Sequence, residues 1–495
     1  FRNIHDLTHE NPDANTTGFE VENGMAYRLY ANFPNLCLQV SDSKAKYVEA
    51  PCWYKGITYS DEARRGFECA EDLVVPGSFS LKMREGGSFV FSASLQQEDP
   101  SEFKRKFTSA VKGKGSANDY KGQLARCANR LITDHNGRKK INAGFSWMYT
   151  GLLRETLIAL PGLTLYGLND PKQFEEILDN LIADEQERLF RRTTQIEAPL
   201  YMTVALQKYI AFGADEKAVW NKYKVILTGI LDSYFIPGER KEVVMHPNGL
   251  LWAQMDGVAL TWMNAYIDGR AVTERAGYQV ETNALWYNAV CFALEMEKKY
   301  GTKKSKFMEH WTAVRDLVKE NYEKVFWNAQ RGCLADYVDN SGQHMDIRPN
   351  QLYAIWVDYS PVSEELAPSI LRVIDNELVT SRGIRTLSPR DGNYKHLYDG
   401  TQVERDLAYH NGSTRPFLLE PYVETAFRVK GPSFWKRAEW LVEGFYEDLS
   451  KHGVGAFSEL YDADPPHEPH GAISSALSTA GLLAVEYALE KNKEA

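Results

Sequence analysis

Over roughly the first 110 residues, apolar and polar positions alternate in short runs. MAYRLYANF (25–33), LCLQVS (36–41), GSFSLKM (77–83) and GSFVFSASL (87–95) are separated by Gly, Asn and Pro breaks. A period of two between such breaks predicts half-buried antiparallel strands. EDLVVPG (71–77) reads as a turn-bearing connector. From about residue 115 the period becomes helical and stays so. Helices are expected near 118–133, 154–167, 171–187, 197–212, 214–233, 279–300, 305–325, 349–356, 361–378, 416–429, 432–449 and 471–491. Pro and Gly cluster between these segments. In NDPKQFEEILDNLIADEQERL, Asn169 or Asp170 offers a cap and Pro171 a first-turn residue, followed by apolar positions at helical spacing. About a dozen helices with polar, aromatic loops fit helix pairs arranged in a ring. No fixed sequence period supports a repeat solenoid.

The chain is 495 residues long, enough for two domains and a large core. We expect a β-sandwich-like domain over 1–112 and a helical domain over 113–495. Hydrophobic content of 43% and charged content of 25% are ordinary for a globular protein. The 11 Trp, 27 Tyr and 22 Phe suit either a large core or a carbohydrate cleft. A net charge of −10 argues against nucleic acid and anionic membranes as partners. No run of 18 apolar residues predicts a transmembrane helix. Six Cys without metal-ligand spacing read as reduced thiols of a cytoplasmic protein. The chain starts at Phe1 with no signal peptide, so it reads as processed or as lacking its natural N-terminus.

The chemistry concentrates in the loops 143–156, 244–283, 342–351, 385–415 and 455–471, which the helical pattern places on one rim. LTWMNAYIDGRAVTERAGYQVETNALWYNAV (260–290) interleaves Trp262, Trp286, Tyr266, Tyr278 and Tyr287 with Asn264, Asp268, Arg275, Glu281, Asn283 and Asn288. Aromatic faces among amides and carboxylates suit a sugar, which offers C–H faces and hydroxyls. Glu459, in a Gly-rich entry before the stiff DPPHEPHG loop, is either a solvated loop residue or a general base toward water. His467 and His470 lack a third ligand nearby, so packing or hydrogen bonding is expected of them. Arg405, Asp406, Tyr409, His410 and Asn411 share one short loop before a helix and read as a hydroxyl clamp. Arg348, Asn350 and Gln351 open a helix, where Asn350 could equally be a cap. Arg154–Glu155 and Glu197 enter apolar helices, where the helix dipole favours a carboxylate. Together they suggest an anionic pocket floor.

In order, ETLIALPGL, EAPLY, LTWMNAYIDG…VETNALWYNA, RPNQLYAI…RTLSP…ERDLAYHNG and SELYDADPPHEPHG resemble the amylo-α-1,6-glucosidase part of glycogen debranching enzymes. WYKGITYSDEARRGFECAEDLVVPG (53–77) resembles that family's N-terminal β domain. The resemblance implies a mainly α fold, an (α/α)6 toroid preceded by an antiparallel β-sandwich. It implies an inverting glycosidase with no metal or organic cofactor, acting on α-1,6-linked glucose of a branched α-glucan. A separate glucanotransferase, or a missing N-terminal region, would act on the same glucan. Motif matching puts the general base at Glu459 and the general acid at position 264. Arg154, Glu155, Glu197, Trp262, Asp268, Glu281, Trp286, Arg348, Gln351, Arg405, Asp406, Tyr409 and His410 would contact substrate. The chain departs from the family pattern at several places. The family's TWMD reads TWMN here, and RDT reads RET. DAPL reads EAPL, Arg415 and Phe417 stand where Trp is common, and Leu477 replaces the last-helix Trp. An amide at 264 cannot donate a catalytic proton. Three readings follow: a neighbour such as Asp268, Asp256 or Glu155 supplies it, the protein binds glucan without cleaving it, or the substitution is an inactivating one.

Overall fold

The computed structural model describes residues 6–113, 119–145, 148, 151–191, 193–236, 238–301, 306–453 and 455–493. Ser146, Trp147, Tyr149 and Thr150 of the first expected rim loop lie outside the described residues. The chain divides into two compact units, Phe1–Ala117 and Asn118–Ala495.

In the first unit, Gly18–Val21, Gly24–Tyr27, Leu36–Val40 and Phe91–Ser94 form a four-stranded antiparallel sheet in that order. Lys46–Thr58 and Ala70–Ser80 form a long antiparallel ribbon. The ribbon meets the sheet through Tyr27, Tyr47, Phe79 and Phe91, with Tyr27 Oη donating to Tyr47 Oη at 2.8 Å. The 71–77 segment is therefore strand and not the expected connector. Its Pro76 misled the reading because proline usually breaks a ladder. Here the register shifts between the Glu49–Gly77 and Cys52–Val75 pairs. Pro51 and Pro76 both fall in that bulge, where no N–H is needed. A second difference is the helix Phe103–Gly113, inside the stretch read as β. Its start was signalled by Asp99-Pro100, with the Asp99 carboxylate accepting from Ser101 N at 2.9 Å.

The second unit is predominantly helical, with small sheets between helices. Six of its helices are buried on nearly every side: Leu153–Leu160, Tyr201–Ala211, Val280–Tyr300, Leu352–Trp356, Leu419–Lys430 and Ala476–Lys493. Each packs against the next in chain order, and Ala476–Lys493 packs against Leu153–Leu160. Such all-round burial needs apolar or small residues on every face. Gly162, in the π-helical turn Pro161–Gly167, shows how close the approach is. A Cβ there would lie 2.5 Å from Ala480 O. More amphipathic helices pack outside, among them Tyr120–Leu131, Pro171–Asp184, Glu216–Phe235, Lys306–Phe326, Ala367–Glu377 and Trp435–Glu443. Asp170 caps Pro171–Asp184 by accepting from Gln173 N at 3.0 Å, as its sequence signal predicts. Gln402–Ala408, expected as loop, is a helix, held by a capping box between Thr401 and Glu404.

One small sheet matters for the site. Val379–Thr380, Gly383–Arg385, Thr414–Arg415, Leu460–Tyr461 and Pro469–His470 are antiparallel neighbours in that order. It brings Arg415 beside the segment that carries Glu459.

Candidate functional site

Three segments meet at Glu459. Its own backbone pairs with Ala472, N–H to carbonyl at 2.9 Å, while Ala472 N donates back to Glu459 Oε2 at 3.1 Å. Between them Gly471 has φ +70°, and a Cβ there would stand 2.7 Å from Glu459 Oε2. Glycine is thus required for both conformation and room. From the sheet, Arg415 Nη1 donates to Glu459 Oε1 at 2.8 Å. Tyr409 Oη donates to the same oxygen. The Arg415 guanidinium lies 4.0 Å from the Tyr409 ring centroid, and its Nη2 donates to Tyr409 O at 2.9 Å. Burial alone would raise the Glu459 pKa, but Arg415, Tyr409 and the Ala472 amide together hold it below the usual carboxylate range. Burial pushes the Tyr409 hydroxyl up, and the Glu459 charge adds to that. The result is an ionised carboxylate facing a neutral phenol.

Glu459 opens onto a cavity of about 220 Å³ lined also by Arg154, Glu155, Trp262, Asn264, Tyr409, His410, Arg415 and Phe417. Tyr201, Tyr353 and Leu477 complete much of its apolar wall. Convergent charged and amide groups against aromatic walls are the general make-up of a small-molecule site. Asn264 is solvent-exposed and therefore stands at the mouth. Its backbone N–H donates to His410 Nε2 at 3.0 Å, which places the His410 proton on Nδ1. Burial, then Arg415, Arg348, Arg154 and Arg275, push the His410 pKa well below its usual range, so the ring is neutral.

Several polar atoms around the cavity are buried without a partner among the described residues: Arg154 Nη2, Glu155 Oε2, His410 Nδ1 and Arg415 Nε. Buried polar groups are ordinarily paired. A cluster of unmet donors and an acceptor around one cavity is what a site awaiting a hydroxyl-rich ligand presents.

Of the expected site residues, the structure brings Arg154, Glu155, Trp262, Asn264, Tyr409, His410 and Glu459 together. The others sit elsewhere. Glu197 is fully buried behind Arg154, which donates to it from Nε at 2.6 Å, so the pair is neutral overall and not an anionic floor. Trp286 is a core residue, packed 5.6 Å from both Tyr234 and Trp311 rings, with its N–H on Gly249 O. Helical burial on all sides leaves it no face for a sugar. Glu281 and Arg275 form a bidentate pair at 2.5 and 2.7 Å, and Arg275 also binds Asp336 at 2.6 Å. Asp336 accepts from Asn350 at 2.7 Å, and Asn350 Oδ1 accepts from Trp262 Nε1 at 2.8 Å. This dry chain orients Trp262 beside the cavity. Arg348 donates to His410 O at 2.5 Å and Asn411 Oδ1 at 2.9 Å, holding the 409–411 turn. Gln351 accepts from Leu334 N at 3.3 Å and is likewise scaffold.

Arg405 and Asp406 lie on the helix Gln402–Ala408 and do not line the cavity. Each turns to Gln402 on its own helix, at 2.9 and 2.8 Å. Asp268 is exposed at the tip of the hairpin Tyr266–Ile267/Arg270–Ala271, with φ +49°. His467 and His470 both bind Asp462, through its carbonyl at 2.8 Å and its carboxylate at 3.1 Å. The sequence reading missed Arg415 as the ion partner of Glu459, and Asp336 altogether. Arg415 carried a signal, being a charged residue where the family pattern has Trp. Asp336 carried none, because its partner Arg275 lies 61 positions away.

A carboxylate held ionised beside aromatic walls and unmet hydrogen-bonding atoms is an arrangement suited to a polyhydroxylated small molecule. Residues 126–484 match the amylo-alpha-1,6-glucosidase family and residues 1–90 match the glycogen debranching enzyme N terminal family. The chain belongs to the amylo-alpha-1,6-glucosidase family. It is similar to the glycogen debranching enzyme of Saccharomyces cerevisiae, 24% identical over 230 residues. That match covers 38% of this chain and 15% of the yeast protein.

Proposed function

We propose that the cavity holds the terminal glucose of an α-1,6-linked stub on a branched α-glucan such as glycogen or its limit dextrin. Glu459 is the general base, taking a proton from the water that attacks the anomeric carbon with inversion. The observation that carries this reading is the triple hold of Arg415, Tyr409 and Ala472 on Glu459, which keeps it charged at the cavity wall. Arg154, Glu155 and His410 offer unmet hydrogen-bonding atoms to sugar hydroxyls, and Trp262 offers an aromatic face. The closed contact order of the six buried helices supports an (α/α)6 toroid, and the sheet and ribbon of the first unit support a β-sandwich. On this reading a glucanotransferase activity prepares the stub, in the cytoplasm. A second reading, a glucan-binding protein without hydrolysis, is favoured by Asn264, whose amide stands where the resemblance places the acid.

The test is glucose release from a branched limit dextrin. The expected result is slow release that Glu459→Gln lowers by a further factor on the order of 10²–10⁴. Release unchanged in Glu459→Gln would overturn the assignment of the base. Saccharide binding with no release, restored by Asn264→Asp, would establish the second reading.

A further inference from the structure

The cavity has an ionised base, and among the described residues no acid stands at its mouth. Asn264 stands there with a carboxamide that makes no hydrogen bond among the described residues. Of the acidic residues near it in sequence, Asp256 is 92% exposed and paired with Arg270, and Asp268 is exposed at a hairpin tip. Neither lines the cavity. The other lining carboxylate, Glu155, is only partly accessible, on the helix whose Arg154 is buried against Glu197, and its Oε2 is sealed from solvent. That position suits a grip on the bound ring and not delivery of a proton at the entrance. What the mouth does offer is N–H: an amide can donate a hydrogen bond to an oxyanion without giving up a proton. Arg154 and Arg415 add two guanidinium groups to the same cavity, each with one buried nitrogen unmet.

We propose that this site acts on α-glucosyl donors whose leaving group departs as a stable anion, such as a phosphate ester, in preference to a glucan that needs its bridging oxygen protonated. The inference rests on the reading of Glu459 as base and of the cavity as the glucose site. In the step, the bond from C1 to the leaving group breaks and its electron pair stays on the leaving group. The singly protonated phosphate ester gives hydrogen phosphate, and a glucosyl fluoride gives fluoride ion. The oxygen of water bonds to C1, and its proton passes to Glu459 and then to solvent. No other proton is required. The Asn264 amide hydrogen-bonds the departing anion, a contact that strengthens as its charge grows.

The experiment compares three donors: α-D-glucosyl fluoride, α-D-glucose 1-phosphate and a branched limit dextrin. Each is measured by glucose release with this protein, Asn264→Asp and Glu459→Gln. The expected result is turnover of the fluoride, the phosphate or both, lost in Glu459→Gln. The dextrin should be slow with this protein and gain on the order of 10²–10⁴ in kcat/KM in Asn264→Asp. The activated donors should slow in Asn264→Asp, where a carboxylate replaces the amide N–H beside the departing anion. Dextrin turnover as fast in this protein as in Asn264→Asp would overturn the inference and leave the proposed hydrolysis standing. Failure of both activated donors, with dextrin cleaved by Asn264→Asp, would also overturn the inference alone. Failure of every donor with both this protein and Asn264→Asp would overturn the inference and the proposed function together.

Discussion

Two of the polar clusters within the helical unit differ in completeness. In the Arg275–Glu281–Asp336–Asn350–Trp262 chain, each charged side chain meets its partners, and none of its atoms is left unmatched. Around the cavity, Arg154, Glu155, His410 and Arg415 each keep a buried atom unmet. Both clusters are rich in Arg and Glu, and composition does not distinguish them. Satisfaction does: the complete network is scaffold, and the incomplete one is where a ligand's hydroxyls would finish the count. Buried ion pairs with full hydrogen bonding fix geometry more than they add stability, and here they fix the edge of Trp262.

The two clusters should respond differently to mutation. Arg275→Met leaves Glu281 buried without its counter-charge and Asp336 with only Arg348, 3.8 Å away. The expected loss is about 3–5 kcal/mol of folding stability, read by denaturant unfolding. A loss below about 1 kcal/mol would show that the cluster is not the dry scaffold described. Arg415→Gln should act mainly on pH dependence. With Arg415 in place, the Glu459 pKa is lowered, so the base form persists until the pH falls through that lowered value. The same linkage gives stability that is present above the unfolded-state pKa of Glu459 and is lost as pH falls through its folded pKa. Without Arg415, burial is less opposed, and the acid limb of glucosyl fluoride turnover moves to higher pH. An unmoved acid limb would detach Glu459 from that limb. The smallest effect belongs to Asp268→Ala, at an exposed hairpin tip. It should change stability by no more than about 0.5 kcal/mol and leave KM unchanged.

Much of the fold was legible because long amphipathic or apolar segments announce their period. Val280–Tyr300, Lys306–Phe326 and Glu216–Phe235 lie within two residues of their expected bounds. Failures came where local signals conflict with tertiary pairing. Pro76 suggested a turn, yet the facing Pro51 makes a bulge that only the paired strand reveals. The site was legible as chemistry but not as geometry. Trp286 and Trp262 look alike in sequence, both aromatic beside amides. One lies on a helix buried on every side, and the other ends a loop at the cavity. Arg405 and Arg415 look equally suited to a clamp. The helix turns the first back on itself, and the small sheet carries the second to Glu459. Periodicity has no access to that distinction, since it depends on strands 379–385, 414–415 and 460–470 meeting.

The packing of Ala476–Lys493 against Leu153–Leu160 also sets a schedule. The cavity takes its walls from Ala143 at one end of the helical unit to Leu477 at the other. During synthesis, with the N-terminal part emerging first, Arg154 and Trp262 are made long before Glu459 and the helix that seals them in. The half-made chain carries cavity-lining groups but no enclosed site. Binding competence therefore arrives late and all at once, when the final helix docks on the first. On the proposed reading, a nascent or C-terminally clipped chain would not bind glucan even with most of its cavity residues already in place.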